Sequence, residues 1–169
     1  MGSLRDRRRA YALLVCLAAS AATPWFYSLV AESPVPLELR VDLSERRLEV
    51  RRGGELVESY GVAVGRPGHP TPTGTFTTGR IEWNPRWVPP PREWARKLKP
   101  RAGGDPRNPM QGVKIYFREP WYFIHGTNNP ESIGSAASHG CLRMRTAEAK
   151  ALARLIERNG GTATLVIRS

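Results

Sequence analysis

Two cysteines and three histidines are all this 169-residue chain has of the residue types that most often carry nucleophilic or metal chemistry. Cys16 lies in an apolar N-terminal segment, so the rest of the chain holds one thiol, Cys141, and cannot form an internal disulfide. There is no Cys-x-x-Cys pair and no His-Glu-x-x-His stretch, which removes the commonest zinc patterns. Acidic residues are scarce: 15 Asp+Glu stand against 26 Lys+Arg, for a net charge of +11. Such a balance suits an anionic partner, whether nucleic acid, membrane surface or wall polymer. Arginines are spread from Arg40 to Arg168 without a compact basic run, which argues against nucleic acid. Internal repeats, heptads and low-complexity tracts are also missing, so the length reads as one domain with a short appendage.

The N-terminus is the appendage. Arg5, Arg7, Arg8 and Arg9 precede residues 10–31, which carry no charge. A basic start followed by an apolar run is the pattern of a secretory signal or an uncleaved anchor. Twenty-two residues are about enough for a helix to cross the hydrocarbon core of a bilayer, and the flanking arginines would send the remainder outward. Ala19-Ser20-Ala21 offers a small-residue cleavage site and Pro24 interrupts a straight span, so cleavage stays open. The anchor is the favoured reading, because the apolar core before Ala19 is short for a signal peptide. Residues 32–36, with Pro34 and Pro36, form a stiff linker, and a domain is expected over 37–169.

That domain reads as mostly β. Leu37, Leu39, Val41 and Leu43 alternate with polar residues, as a half-buried strand requires. Leu48 and Val50 continue in a second strand, Gly53-Gly54 supplies a tight hairpin turn, and a third strand is expected from Leu56 to Val64. Further strands are predicted at Thr75–Thr78, at Val113–Phe117 and from Trp121 into His125, with a last one over 162–167. Ten of the 15 prolines fall between Pro67 and Pro109, together with Trp83, Trp87 and Trp94. So much proline predicts a long loop of the kind that serves as a lid or binding loop. One helix is expected over 147–158, with Thr146 as N-cap, Leu152, Leu155 and Ile156 inward, and Asn159-Gly160-Gly161 as the stop.

The chemistry rests on Ser138-His139-Gly140-Cys141 and on His125, sixteen residues before Cys141. A cysteine nucleophile needs a neighbouring base or cation to reach the thiolate form. In an extended segment His139 and Cys141 would share a face, whereas His125 can meet them only through the fold. The amides of Gly140 and Cys141 are candidate oxyanion donors. The rival use of two histidines and one cysteine is a catalytic zinc site. No carboxylate lies near in sequence, and thiol chemistry is the stronger reading. His69, in a Gly-Pro-rich turn, is expected at the surface.

Ile124-His125-Gly126-Thr127, then Ser132-Ile133-Gly134, then Ser138-His139-Gly140-Cys141-Leu142-Arg143-Met144 resemble the signature of L,D-transpeptidases of the YkuD type. The ErfK/YbiS-like branch of Gram-negative envelopes is the nearest in pattern. Thr71–Gly74 and Asn84–Pro90 are further family-like stretches. The resemblance implies a β-sandwich-like catalytic domain with the long Pro/Trp-rich loop and one C-terminal helix. It implies that Cys141 attacks the carbonyl at the L-centre of a diamino acid in a peptidoglycan stem peptide, releasing D-Ala, and that an amine resolves the thioester. His125 would move the proton, and His139, Gly140 and Ser138 would support the oxyanion. Arg143, Gly126 and Thr127 would contact substrate. No cofactor or metal is called for. The acceptor is open: a second stem peptide, a lipoprotein lysine, a D-amino acid, or water, which would make the chain an L,D-carboxypeptidase. A zinc hydrolase and a non-catalytic wall-binding domain are the alternatives. The expected location is outside the cytoplasm, in the periplasm or envelope, anchored in the inner membrane through residues 10–31.

Overall fold

The computed structural model describes residues 35–169; the expected anchor and most of the linker lie outside the described residues. Alternation decides the first sheet. In β1 (Leu37–Asp42) and β2 (Arg47–Arg52), Leu37, Leu39, Val41, Leu48 and Val50 are buried while their neighbours are not. The two strands pair antiparallel, and Gly53 and Gly54, both at positive φ, turn the chain into β3 (Glu55–Gly61). β3 ends sooner than the expected Leu56–Val64 strand, and Val64–Gly65 forms a separate short strand, β4.

The last strand of the chain, β11 (Thr164–Arg168), inserts beside the first: it pairs parallel with β1 and antiparallel with β5 (Gly74–Thr77). The resulting five-stranded order is β3-β2-β1-β11-β5. A second sheet is built from β6 (Ile81–Trp83), β7 (Gln111–Arg118), β8 (Tyr122–Gly126) and β10 (Leu142–Met144), in the order β10-β8-β7-β6. A short β9 (Ala136–Ser138) pairs with β4. Both sheets and the helix α1 (Thr146–Arg158) contribute to one apolar cluster.

Three details depart from the sequence reading. The Pro-rich stretch is broken not only by the expected β5 but also by β6, so its longest irregular part is residues 84–110, which carry one 3-10 turn, Glu93–Ala95, and a bridge between Trp87 and Arg101. Thr146 is the first helical residue and does not cap α1; its Oγ1 instead donates to the Thr127 carbonyl at 3.2 Å. The inward face of α1 is Ala149, Leu152, Ala153 and Ile156, with Leu155 only half-buried, because small alanines let the helix approach the sheet.

Candidate active site

The register of the second sheet sorts its side chains into two faces. Ile115, Ile124 and Leu142 are cross-strand partners in β7, β8 and β10, all fully buried in the core. Side chains alternate along a strand, so the next row, Lys114, His125 and Arg143, must project from the opposite face. Cys141 is two residues before Arg143, just ahead of β10, and is brought beside Phe123, with Arg143 and Lys114 near enough to act on its charge. Residues distant in sequence are thus gathered by pairing alone.

The half-buried Cys141 thiol donates to the Trp121 carbonyl at 3.4 Å, and the Phe123 N–H is directed at Sγ. Burial pushes its pKa up from 9 to about 11, although Phe123, Arg143 and Lys114 all pull the other way. His125 is buried, and its Nδ1 donates to the Gly126 carbonyl at 2.9 Å; since a carbonyl only accepts, Nδ1 carries the proton. Burial pulls the imidazole pKa down to about 3, and the charges of Arg143 and Lys114 add to that, while the Gly126 and Pro109 carbonyls oppose it. The sequence reading expected imidazoles to hold Cys141 as a thiolate. In the resting site both partners are instead neutral, because desolvation outweighs the nearby charges.

His139 occupies a different arrangement. Gly140 has φ +109°, so the segment turns between His139 and Cys141 and the expected extended geometry does not hold. Ser138 Oγ closes this turn, accepting from the Gly140 N–H at 3.0 Å and donating to the Cys141 carbonyl at 2.6 Å. The Gly140 amide is therefore spent inside the turn and is not free as an oxyanion donor. A Cβ at Gly140 would stand 2.8 Å from Tyr122 Cε1 and 3.2 Å from the Pro70 carbonyl, so glycine is required by both backbone and space.

The ring of His139 stacks on Trp94 with centroids 3.7 Å apart and planes inclined by 13°. Arg66 Nη2 lies 2.8 Å from His139 Nε2. A guanidinium can only donate, so Nε2 accepts and Nδ1 holds the proton. Burial, followed by Arg66, His69 and Arg143, lowers the His139 pKa to about 4. His69 is half-buried with its ring edge-on to His139 at 4.8 Å, which corrects the surface assignment.

Gly126 and Thr127 were expected to contact substrate, but both are buried. The Thr127 N–H donates to Met144 O and its Oγ1 accepts from the Asn129 N–H, while Gly126 leaves no room for a Cβ against Gln111 O, 2.2 Å away. They hold β8 against β10 and α1. Arg143 has no carboxylate partner among the described residues, and burial lowers its pKa. Among the described residues no three His, Cys, Asp or Glu side chains converge as a metal site would need, so the zinc reading has no ligand set.

Three residues escaped the sequence reading: Arg66, Trp94 and Lys114. Arg66 carried no local signal, and Trp94 only that of its Pro/Trp-rich loop, since the fold alone brings them to His139. Lys114 did carry one, as a charge inside the apolar run Val113–Phe117.

Residues 36–167 match the family model described as the YkuD L,D-transpeptidase catalytic domain. The chain belongs to this family. A YkuD protein of Bacillus licheniformis is 32% identical over 122 residues, covering 72% of this chain and 61% of that protein. An ErfK/SrfK protein of Escherichia coli K12 is 37% identical over 103 residues, covering 57% of this chain and 33% of that protein. The chain therefore spans about three fifths of the length of the first relative and a third of the second. Among solved structures, L,D-transpeptidase 3 of Mycobacterium tuberculosis superposes with TM-score 0.61 at 14% identity, over 79% of this chain and 61% of that one. The catalytic domain of an E. faecium L,D-transpeptidase gives 0.59 at 17% identity, over 79% and 98%. At such identities the structural likeness establishes the fold, which is that of YkuD-type catalytic domains.

Proposed function

We propose that this YkuD-family chain is a cysteine-dependent L,D-transpeptidase acting on peptidoglycan stem peptides. The observation that carries the reading is the nearness of Cys141 to Arg143, the cross-strand partner of His125, within a chain whose residues 36–167 match the family. Cys141 Sγ attacks the carbonyl at the L-centre of the diamino acid, the C–N bond to D-Ala breaks, and a thioester forms. The thiol proton passes to the unprotonated Nε2 of His125 and from there to the leaving amine. In the resting site the thiol is turned toward the Trp121 carbonyl, so a rotation about the Cys141 side chain precedes transfer; catalytic hydrogen bonds often form only once substrate is seated. With the Gly140 N–H engaged by Ser138, the Cys141 N–H is the turn amide assigned to the developing oxyanion. His139, with its proton on Nδ1, is assigned a supporting role from its position between Trp94 and Arg66. The Arg143 guanidinium, which has no carboxylate partner among the described residues, receives a substrate carboxylate. An amine then resolves the thioester, from a second stem peptide or a lipoprotein lysine.

The polymer lies outside the cytoplasmic membrane, and the N-terminal arginines with the uncharged residues 10–31 suit delivery and anchoring there. The test is direct acylation. One neighbour, L,D-transpeptidase 3 of Mycobacterium tuberculosis, has been solved with a faropenem-derived adduct. Incubated with a carbapenem or a disaccharide tetrapeptide, the wild-type chain should gain one acyl mass by intact mass spectrometry, and Cys141→Ala should gain none. Label on Cys141→Ala equal to wild type would remove the assignment.

A further inference from the structure

Lys114 is a buried cation that the mechanism above leaves without a task. Its side chain is 9% exposed, its Cα partner across the sheet is His125, and its Nζ stands 3.6 Å from Glu82 Oε2. That carboxylate is shared: Tyr116 OH donates to it at 3.0 Å and Arg80 lies 3.6 Å away. A buried ammonium costs free energy unless fully compensated, and an aliphatic side chain would fill the same volume without that cost. The Nζ also lies 5.3 Å from the centroid of the Phe123 ring, and Phe123 is the residue beside Cys141 whose N–H points at Sγ. The charge is thus carried against Phe123, a β8 side chain that neighbours the nucleophile.

We propose that Lys114 is a positioning residue for Cys141: its buried ammonium, laid over Phe123, favours negative charge on Sγ as the thiol gives up its proton. The proposal rests on the transpeptidase reading only for its catalytic benefit; the effect on the thiol is measurable without it. The groups that face the sulfur are few. Arg143 on β10 and Lys114 on β7 are the cations, the Phe123 N–H and Trp121 carbonyl come from β8 and the turn before it, and His125 is neutral. Glu82 on β6 is the carboxylate bound to Lys114, with Arg80 beside it. Arg66 reaches the site through His139, and α1 turns apolar residues to the sheet, with Lys150 lying against Gly112 of β7 and Glu148 holding a buried carboxylate oxygen. Lys114 and Cys141 are close enough for each charge to favour the other. In the reaction, the S–C bond forms as the thiol proton moves to His125, and the cation offsets the charge that appears on sulfur and then on the acyl oxygen.

The test uses the full-length chain with Cys16→Ser as background, and reads the rate of Cys141 alkylation by neutral iodoacetamide from pH 7 to 10. Lys114→Met, of similar length and uncharged, should slow alkylation roughly three- to tenfold at fixed pH and move the profile alkaline. Lys114→Arg should restore most of the rate. Glu82→Gln, which removes the charge that offsets the ammonium, should move the profile the opposite way. Acylation by a carbapenem at pH 7 should follow the same order. A Lys114→Met profile that overlays the background would overturn the proposal, as would Glu82→Gln and Lys114→Met shifting in the same direction. If no variant is acylated but the alkylation order holds, the transpeptidase reading fails and the role of Lys114 stands.

Discussion

The resting charge state of Cys141 can be worked into a rate. With burial placing its pKa near 11 in place of 9, the thiolate fraction at pH 7 drops a hundredfold, to roughly one part in ten thousand. A thiolate of higher pKa is the better nucleophile, and a Brønsted coefficient of about 0.4–0.5 returns a factor of roughly six to ten over two pKa units. Alkylation of Cys141 at pH 7 should therefore run about tenfold slower than that of a small free thiol. It should also rise tenfold per pH unit to about pH 10, with no plateau near 9. Stopped-time mass spectrometry of the Cys16→Ser chain with iodoacetamide gives the whole profile. A plateau at or below pH 8 would refute the reasoning, since it would mean that a thiolate–imidazolium pair with His125 exists before substrate arrives. The distinction matters for mechanism: a neutral pair places the proton transfer inside the acylation step.

Two further outcomes follow from the same geometry. The His125 pKa is depressed to about 3 in the folded state against 6.5 unfolded, so the unfolded chain binds the extra proton between those values. Its contribution to stability is full above about pH 6.5 and is lost as pH falls toward 3, at up to about 1.4 kcal/mol per pH unit. Urea titrations of wild type and His125→Gln should show their stability difference shrinking as pH falls from 6.5 to 4.5; a constant difference would place the ring in a wetter site. Gly140→Ala introduces a Cβ at 2.8 Å from Tyr122 and at a φ that side chains avoid. It should cost about 1–3 kcal/mol by urea unfolding and cut carbapenem acylation of Cys141 sharply. Wild-type acylation in a folded Gly140→Ala chain would show that the turn does not aim the thiol.

Local chemistry was legible without the fold. The β1 and β2 strands follow from alternation, the Gly53-Gly54 hairpin from positive φ, and α1 from a run of helix formers ended by Asn159-Gly160-Gly161. All are set by interactions within a few residues. The family, too, was readable from His125-Gly126-Thr127 and Ser138-His139-Gly140-Cys141, because those residues are contiguous. β6 and β10 were not readable, since three-residue strands gain their hydrogen bonds from partners far along the chain. Nor was the charge state of Cys141, which depends on how much water the folded domain excludes. Register put Lys114, His125 and Arg143 in one row, and a turn at Gly140 rotated His139 away to Trp94 and Arg66. The sequence by itself settled which side chains are available for the chemistry. Cross-strand pairing and burial, which are properties of distant segments brought together, decided which of them face the thiol and in what protonation state.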